Sequence, residues 1–216
     1  MSATARREPL VATAYLPPTS LMALLAQNPT AQIEACESYP KQTYRNRATI
    51  ATGGGLLDLT VPVVYTHGNH TPTSQMGIDY SRCWPTTHLR TLDAAYSASP
   101  YYQYYRDELE SLIAARYGTL MELNSALLQF LLKKMKIDCR LRLTTDFERP
   151  TGAAHDWRQL ISPKRPLKGF QFEPYTQVFA DRMPFVPNLS AIDLLCNLGP
   201  DSGRYLRHVT IIDQDI

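Results

Sequence analysis

Apolar and polar positions change their period along this chain. Short apolar runs cut by proline and glycine fill the first third, and apolar residues recur at helical spacing through the middle. Leu10-Val-Ala-Thr-Ala-Tyr-Leu16 reads as a strand stopped by Pro17-Pro18. Thr19 or Ser20 can cap a short helix with Leu21, Leu24 and Leu25 on one face, closing near Asn28-Pro29. Ala31-Gln-Ile-Glu-Ala-Cys36 reads as a second strand. Strand, short helix and strand form a βαβ unit, which predicts parallel strands and a right-handed crossover. Ligands in such sheets sit beyond the carboxyl ends of the strands. Tyr15, Glu34, Glu37 and the stretch 39–47 fall at that edge.

Ala48–Ala51 and Leu56–Val64 flank Thr52-Gly-Gly-Gly55, the pattern of a β-hairpin with a glycine tip. A phosphate-loop reading lacks GxxxxGK[ST] and a following helix, and Pro62 marks an edge or bulge. Tyr65–Gln75 is a turn-rich loop holding His67-Gly-Asn-His70, which reads as a metal pair, a substrate-facing loop or plain surface. From Trp84 the spacing of Leu89, Leu92 and Tyr96 predicts a helix with His88 in its first turn, a catalyst or a packing and capping residue. A second helix begins at Tyr101–Tyr105. Thr119-Leu-Met-Glu122 is a capping box that opens a third, with a broad leucine face. Ile137–Leu143 alternates strictly and predicts a strand. Between Thr145 and Phe172 the pattern fades; His155, Asp156, Trp157 and Arg158 are chemically rich, and a short helix over 156–161 is admissible. Ser190 caps a last helix stopped by Gly199-Pro200, and Asn188 before it can hold an anion at the helix end or make a local turn bond.

The predicted fold class is α/β: a βαβ start with a mainly parallel sheet, an inserted β-hairpin and a helical middle over about residues 85–136. The chain reads as one domain over 1–216, with 1–8 and 208–216 as flexible tails.

Composition narrows the function classes. The 216 residues are 44% hydrophobic and 19% charged with a formal charge of +2, which argues against nucleic-acid binding. No apolar run approaches the roughly 18 to 20 residues of a membrane helix, and Met1–Glu8 does not read as a secretory signal. Cys36, Cys83, Cys139 and Cys196 form no CxxC pair; Cys36 and Cys139 read as buried free thiols, which fits a reducing cytoplasm.

The densest chemistry is Tyr39-Pro-Lys-Gln-Thr-Tyr-Arg-Asn-Arg47. Lys41, Arg45 and Arg47 supply charge, Gln42 and Asn46 read donors and acceptors, and Tyr39 and Tyr44 add phenols, a set suited to an anion.

Tyr15-Leu-Pro-Pro, Lys41-Gln-Thr-Tyr-Arg-Asn-Arg47, Val61-Pro-Val, His88-Leu-Arg-Thr-Leu with Ala95-Tyr96, and Phe185–Pro200 together resemble the WbqC-like proteins, in order from about residue 10 to 203. The resemblance implies a bacterial protein whose relatives often lie in gene clusters for O-antigen and other surface polysaccharides, some linked to placing an aminoacyl group on an amino sugar. It carries over Tyr15, Lys41, Arg45, Asn46, Arg47, His88 and Asn188. Two departures touch the donor side: longer relatives have a histidine-glutamine-proline run where this chain has Ala12-Thr13-Ala14, and a longer glycine-rich segment where it has only His155–Lys168. The reading is a cytoplasmic transferase moving an acyl or aminoacyl group onto an amino sugar or sugar nucleotide. Tyr15, Lys41, Gln42, Tyr44, Arg45, Asn46, Arg47 and Asn188 would bind a small anionic substrate, and His88 or His67 would take the proton. The alternative is a non-catalytic protein binding a phosphorylated metabolite in the same pocket. The residues name no metal site, no cofactor and no oligomeric state.

Overall fold

The computed structural model describes residues 8–66, 68–147, 149 and 155–212. It is a mixed α/β protein with a parallel three-stranded sheet, antiparallel hairpins and several helices in the middle. β1 (Leu10–Ala12), α1 (Thr19–Ala26) and β2 (Thr30–Glu34) form the βαβ unit, with Val11 opposite Ile33. β3 (Arg47–Thr52) and β4 (Gly55–Thr60) form the hairpin, and β5 (Val63–Val64) pairs with β6 (Gly77–Ile78). Three helices follow: α2 (Trp84–Tyr96), α3 (Tyr102–Ala114) and α4 (Leu120–Lys134). The chain then returns as β7 (Arg140–Leu143) on the far side of β2, again parallel, with Leu143 opposite Ile33. β8 (Phe170–Gln171), α5 (Ala191–Leu198), α6 (Ser202–His208) and β9 (Thr210–Ile211) complete it, with β8 pairing β9.

Local chemistry explains these boundaries. The Thr119 hydroxyl accepts from the Glu122 amide while the Glu122 carboxylate accepts from the Thr119 amide, so the capping box forms. Leu120, Leu123, Leu127 and Leu131 of α4 are wholly buried in the main core with Leu92, Tyr96, Leu109 and Ile113. Gly203 lets α6 touch the end of α4; a Cβ there would sit 1.9 Å from the Met135 carbonyl oxygen.

Three expectations change. β1 stops at Ala12 because the chain turns away, Leu16 taking φ 40° as the Tyr15 amide donates to the Tyr44 carbonyl. The segment 156–161 is a set of turns, not a helix. Its backbone runs along β1, with the Leu10 amide on the His155 carbonyl and the Trp157 amide on the Leu10 carbonyl, both at 2.8 Å. Residues 208–212, assigned above to a tail, close α6 and form β9; residues 1–7 and 213–216 lie outside the described residues. Cys36 and Cys139 are free and half-buried, with burial pushing the Cys139 thiol up to about 11.

Candidate functional site

β1, β2 and β7 run parallel, so Ala12, Glu34 and Leu143 end on one side of the sheet. The basic stretch is fastened to that edge. The Tyr15 amide donates to the Tyr44 carbonyl at 2.9 Å. From α4, the Asn124 amide group donates to Thr13 Oγ1 at 3.1 Å and to the Arg45 carbonyl at 2.8 Å. Between them lies a cavity of about 10 Å³ lined by Thr13, Pro18, Leu21, Tyr44, Arg45 and Trp157, room for about one water.

The stretch sends its cations three ways. Arg45 is buried and gives both Nε and Nη2 to Glu37 Oε1. Lys41 is exposed, with its ammonium 5.2 Å from the centre of the Tyr65 ring, against whose other neighbour, Tyr39, that ring packs edge to face. Arg47 is half-buried on the hairpin, with Nη1 3.3 Å from Asp58 Oδ2, while its buried Nε has no hydrogen-bond partner among the described residues. Gln42 is exposed at φ 56° in the turn between them. Asn46 Nδ2 donates to the Val61 carbonyl at 2.9 Å, leaving its buried Oδ1 unpartnered among the described residues. Burial raises the Tyr44 phenol above its usual range. Lys41, Arg45 and Arg47 thus share one loop without converging on a single point.

His88 lies inside the protein. Its Nδ1 is 2.9 Å from the Tyr15 hydroxyl, and Trp84 packs against both rings, 6.4 Å from Tyr15 and 5.1 Å from His88. Burial drives the imidazole down to about 4, against a smaller upward pull from its backbone hydrogen bond to Thr60. The same burial pushes the Tyr15 phenol far up, so Tyr15 keeps its proton; with the one N–H of the neutral ring given to the Thr60 backbone, Nδ1 is left to accept from the phenol. His88 is a neutral ring with both faces of its chemistry engaged. His67, the other proposed proton acceptor, lies outside the described residues.

Asn188 serves a different helix from the one it precedes. Its Oδ1 accepts from the Ser20 amide at 2.8 Å, capping α1. In return Ala191 at the start of α5 donates to the Pro17 carbonyl, and the Ser190 hydroxyl donates to the Leu16 carbonyl. The two helix ends satisfy one another. Replacing Asn188 with alanine removes the cap and keeps the φ of 60°, so a loss of about 1–2 kcal/mol in urea denaturation is expected; Asn188→Gly, free of that strain, should lose less.

Sequence reasoning left two groups of residues out. Arg158 spans Asp156 and Glu34, with Nε to Asp156 Oδ1 at 2.9 Å, Nη2 to Asp156 Oδ2 at 2.7 Å and Nη1 to Glu34 Oε2 at 2.8 Å. Its signal was the Asp156-Trp157-Arg158 cluster itself, which had no periodicity to place it. Asn124 could have been found as the amide that falls on the leucine face of α4, four residues after Leu120. Among the described residues, no group of three or more His, Cys, Asp or Glu is placed to hold a metal ion.

A sequence model of the WbqC-like protein family matches residues 13–168, from the exit of β1 to the strap that carries Arg158. The chain belongs to the WbqC-like family. The matched span includes every candidate residue above except Asn188, so the α5 end that caps α1 lies beyond it. A Mycobacterium tuberculosis protein described as the uncharacterized protein Rv1507c is 26% identical over 195 residues, covering 79% of this chain and 84% of its own length. No solved structure matches. No helix among the described residues is long and apolar enough to cross a membrane.

Proposed function

We propose that this WbqC-like protein receives a small anionic metabolite at the carboxyl rim of its parallel sheet. There it moves an acyl or aminoacyl group onto an amino sugar or sugar nucleotide, as the family resemblance implies. One observation carries the binding half. The loop with Lys41, Gln42, Arg45 and Arg47 is joined to the strand-exit loop at Tyr15 and Tyr44, which holds the loop as a whole beside the edge where parallel sheets bind ligands. In the transfer, the amine nitrogen bonds to the acyl carbon as the bond to the carrier breaks, and the amine proton leaves to the carrier or to water. His88, neutral and already accepting from Tyr15, positions the strand-exit loop in this scheme and takes no proton. That same observation favours a second reading, binding without turnover.

Native mass spectrometry of freshly purified protein is expected to show a co-purifying sugar nucleotide or other phosphorylated metabolite. Lys41→Ala and Arg47→Ala should each weaken its binding by about tenfold in calorimetry, the size of one charge-assisted contact. Unchanged affinity in both variants would remove the rim as the site. Acyl transfer to an amino-sugar acceptor by the wild type separates transferase from binding protein.

A further inference from the structure

The charged groups under the rim are satisfied unevenly. Glu34 is wholly buried and saturated: Oε1 accepts from the Cys36 and Glu37 amides and the Thr144 hydroxyl, and Oε2 from Arg158. Asp156 uses both oxygens on Arg158. The neighbouring pair is different. Glu37 gives Arg45 a single oxygen, and neither Glu37 Oε2 nor Arg45 Nη1 has a partner among the described residues. The Glu37 side chain keeps 13% of its surface exposed and the Arg45 side chain 5%. Glu37 also sits beside the Glu34 carboxylate, and burial lifts it above the usual carboxylate range although Arg45 pulls the other way. A guanidinium offers a fork for two oxygens of a carboxylate or phosphate, and here only one oxygen fills it. Arg45 also lines the cavity at the strand-exit loop.

We propose that Arg45 is the receiving group for the ligand's oxyanion, a phosphate or a carboxylate, and that Glu37 stands in for that oxyanion until it arrives. The saturated Asp156–Arg158–Glu34 set stays fixed, and the Glu37 side chain, held through one oxygen only, is what moves. Glu37 therefore sets the affinity of the rim and rejects weak anions. This inference rests on the anion-binding reading of the rim given above.

Calorimetry with inorganic phosphate and, separately, acetate tests it on the wild type, Glu37→Gln, Glu37→Asp, Lys41→Ala and the double variant Glu37→Gln/Arg45→Met. Glu37→Gln is expected to bind one of the two anions about tenfold more tightly than the wild type, because the competing charge is gone. Glu37→Asp, whose shorter side chain withdraws the oxygen, should show a smaller gain and carries the test if Glu37→Gln does not fold. The double variant should lose the gain. A gain for phosphate alone names a phosphate ligand, and a gain for acetate alone names a carboxylate. If Lys41→Ala weakens binding while both Glu37 variants bind as the wild type does, the rim reading stands and self-occupation is overturned. If no protein binds either anion, both fall.

Discussion

Arg158→Met is expected to lower the stability of the protein by about 3–5 kcal/mol in guanidinium denaturation, the cost of stranding buried charge. The Arg158 side chain is 2% exposed, and its removal leaves Glu34 at 0% and Asp156 at 5% without a cation. The effect should reach beyond the pair. Arg158 ties the strap 155–161 to β2, and that strap closes the open edge of β1 and sets Trp157 against Phe170. Loss of Trp157 burial should therefore accompany the loss of stability, visible as a red shift in tryptophan fluorescence. Arg182→Met provides the contrast, because its ion pair with Asp181 is solvent-exposed on both sides and such pairs contribute little. A change below about 1 kcal/mol for Arg158→Met would mean that the two carboxylates rehydrate freely, and the strap would not be anchored by charge.

Acid lability traceable to His88 is the second large effect. Folding holds this imidazole near 4, against about 6.5 in the unfolded chain, so the folded state favours the neutral ring. The stability this contributes is fully present above pH 6.5 and is lost as pH falls through about 4. The gap corresponds to roughly 3 kcal/mol. His88→Asn keeps a polar group beside Tyr15 and removes the titration, so its stability should fall less steeply than the wild type's between pH 6.5 and 4. Parallel profiles would show that the ring is hydrated in the folded protein. The same variant bears on function: ligand affinity at neutral pH should survive, since His88 is buried and Asn keeps a polar group beside Tyr15.

Much of the fold was legible because it is written in local periodicity. The βαβ start, the glycine-tipped hairpin, the capping box of α4 and the stop at Gly199 each follow from residues a few positions apart. The strap at 155–161 was not, because its backbone partner is Leu10 and its charge partner is Glu34, more than a hundred residues away. Nor was the role of Asn188. An asparagine before Ser190 reads as an anion site or a local turn bond, and only packing decides that it caps α1.

The candidate site divides the same way. The order of residues alone placed Tyr15, Glu34, Glu37 and the stretch 39–47 at one sheet edge, since parallel strands must end together. It also supplied the cations, which any reading of Lys41, Arg45 and Arg47 must count. What it could not decide is which charge is free. That depends on burial and on partners brought from elsewhere: Glu37 holds Arg45 inside, Asp58 meets Arg47 on the hairpin, Lys41 is exposed, and desolvation favours the neutral form of His88. Sequence sets which groups are present and on which element they lie; the free energy of each charge is set by the dielectric and the neighbours around it, and those exist only once the chain has folded.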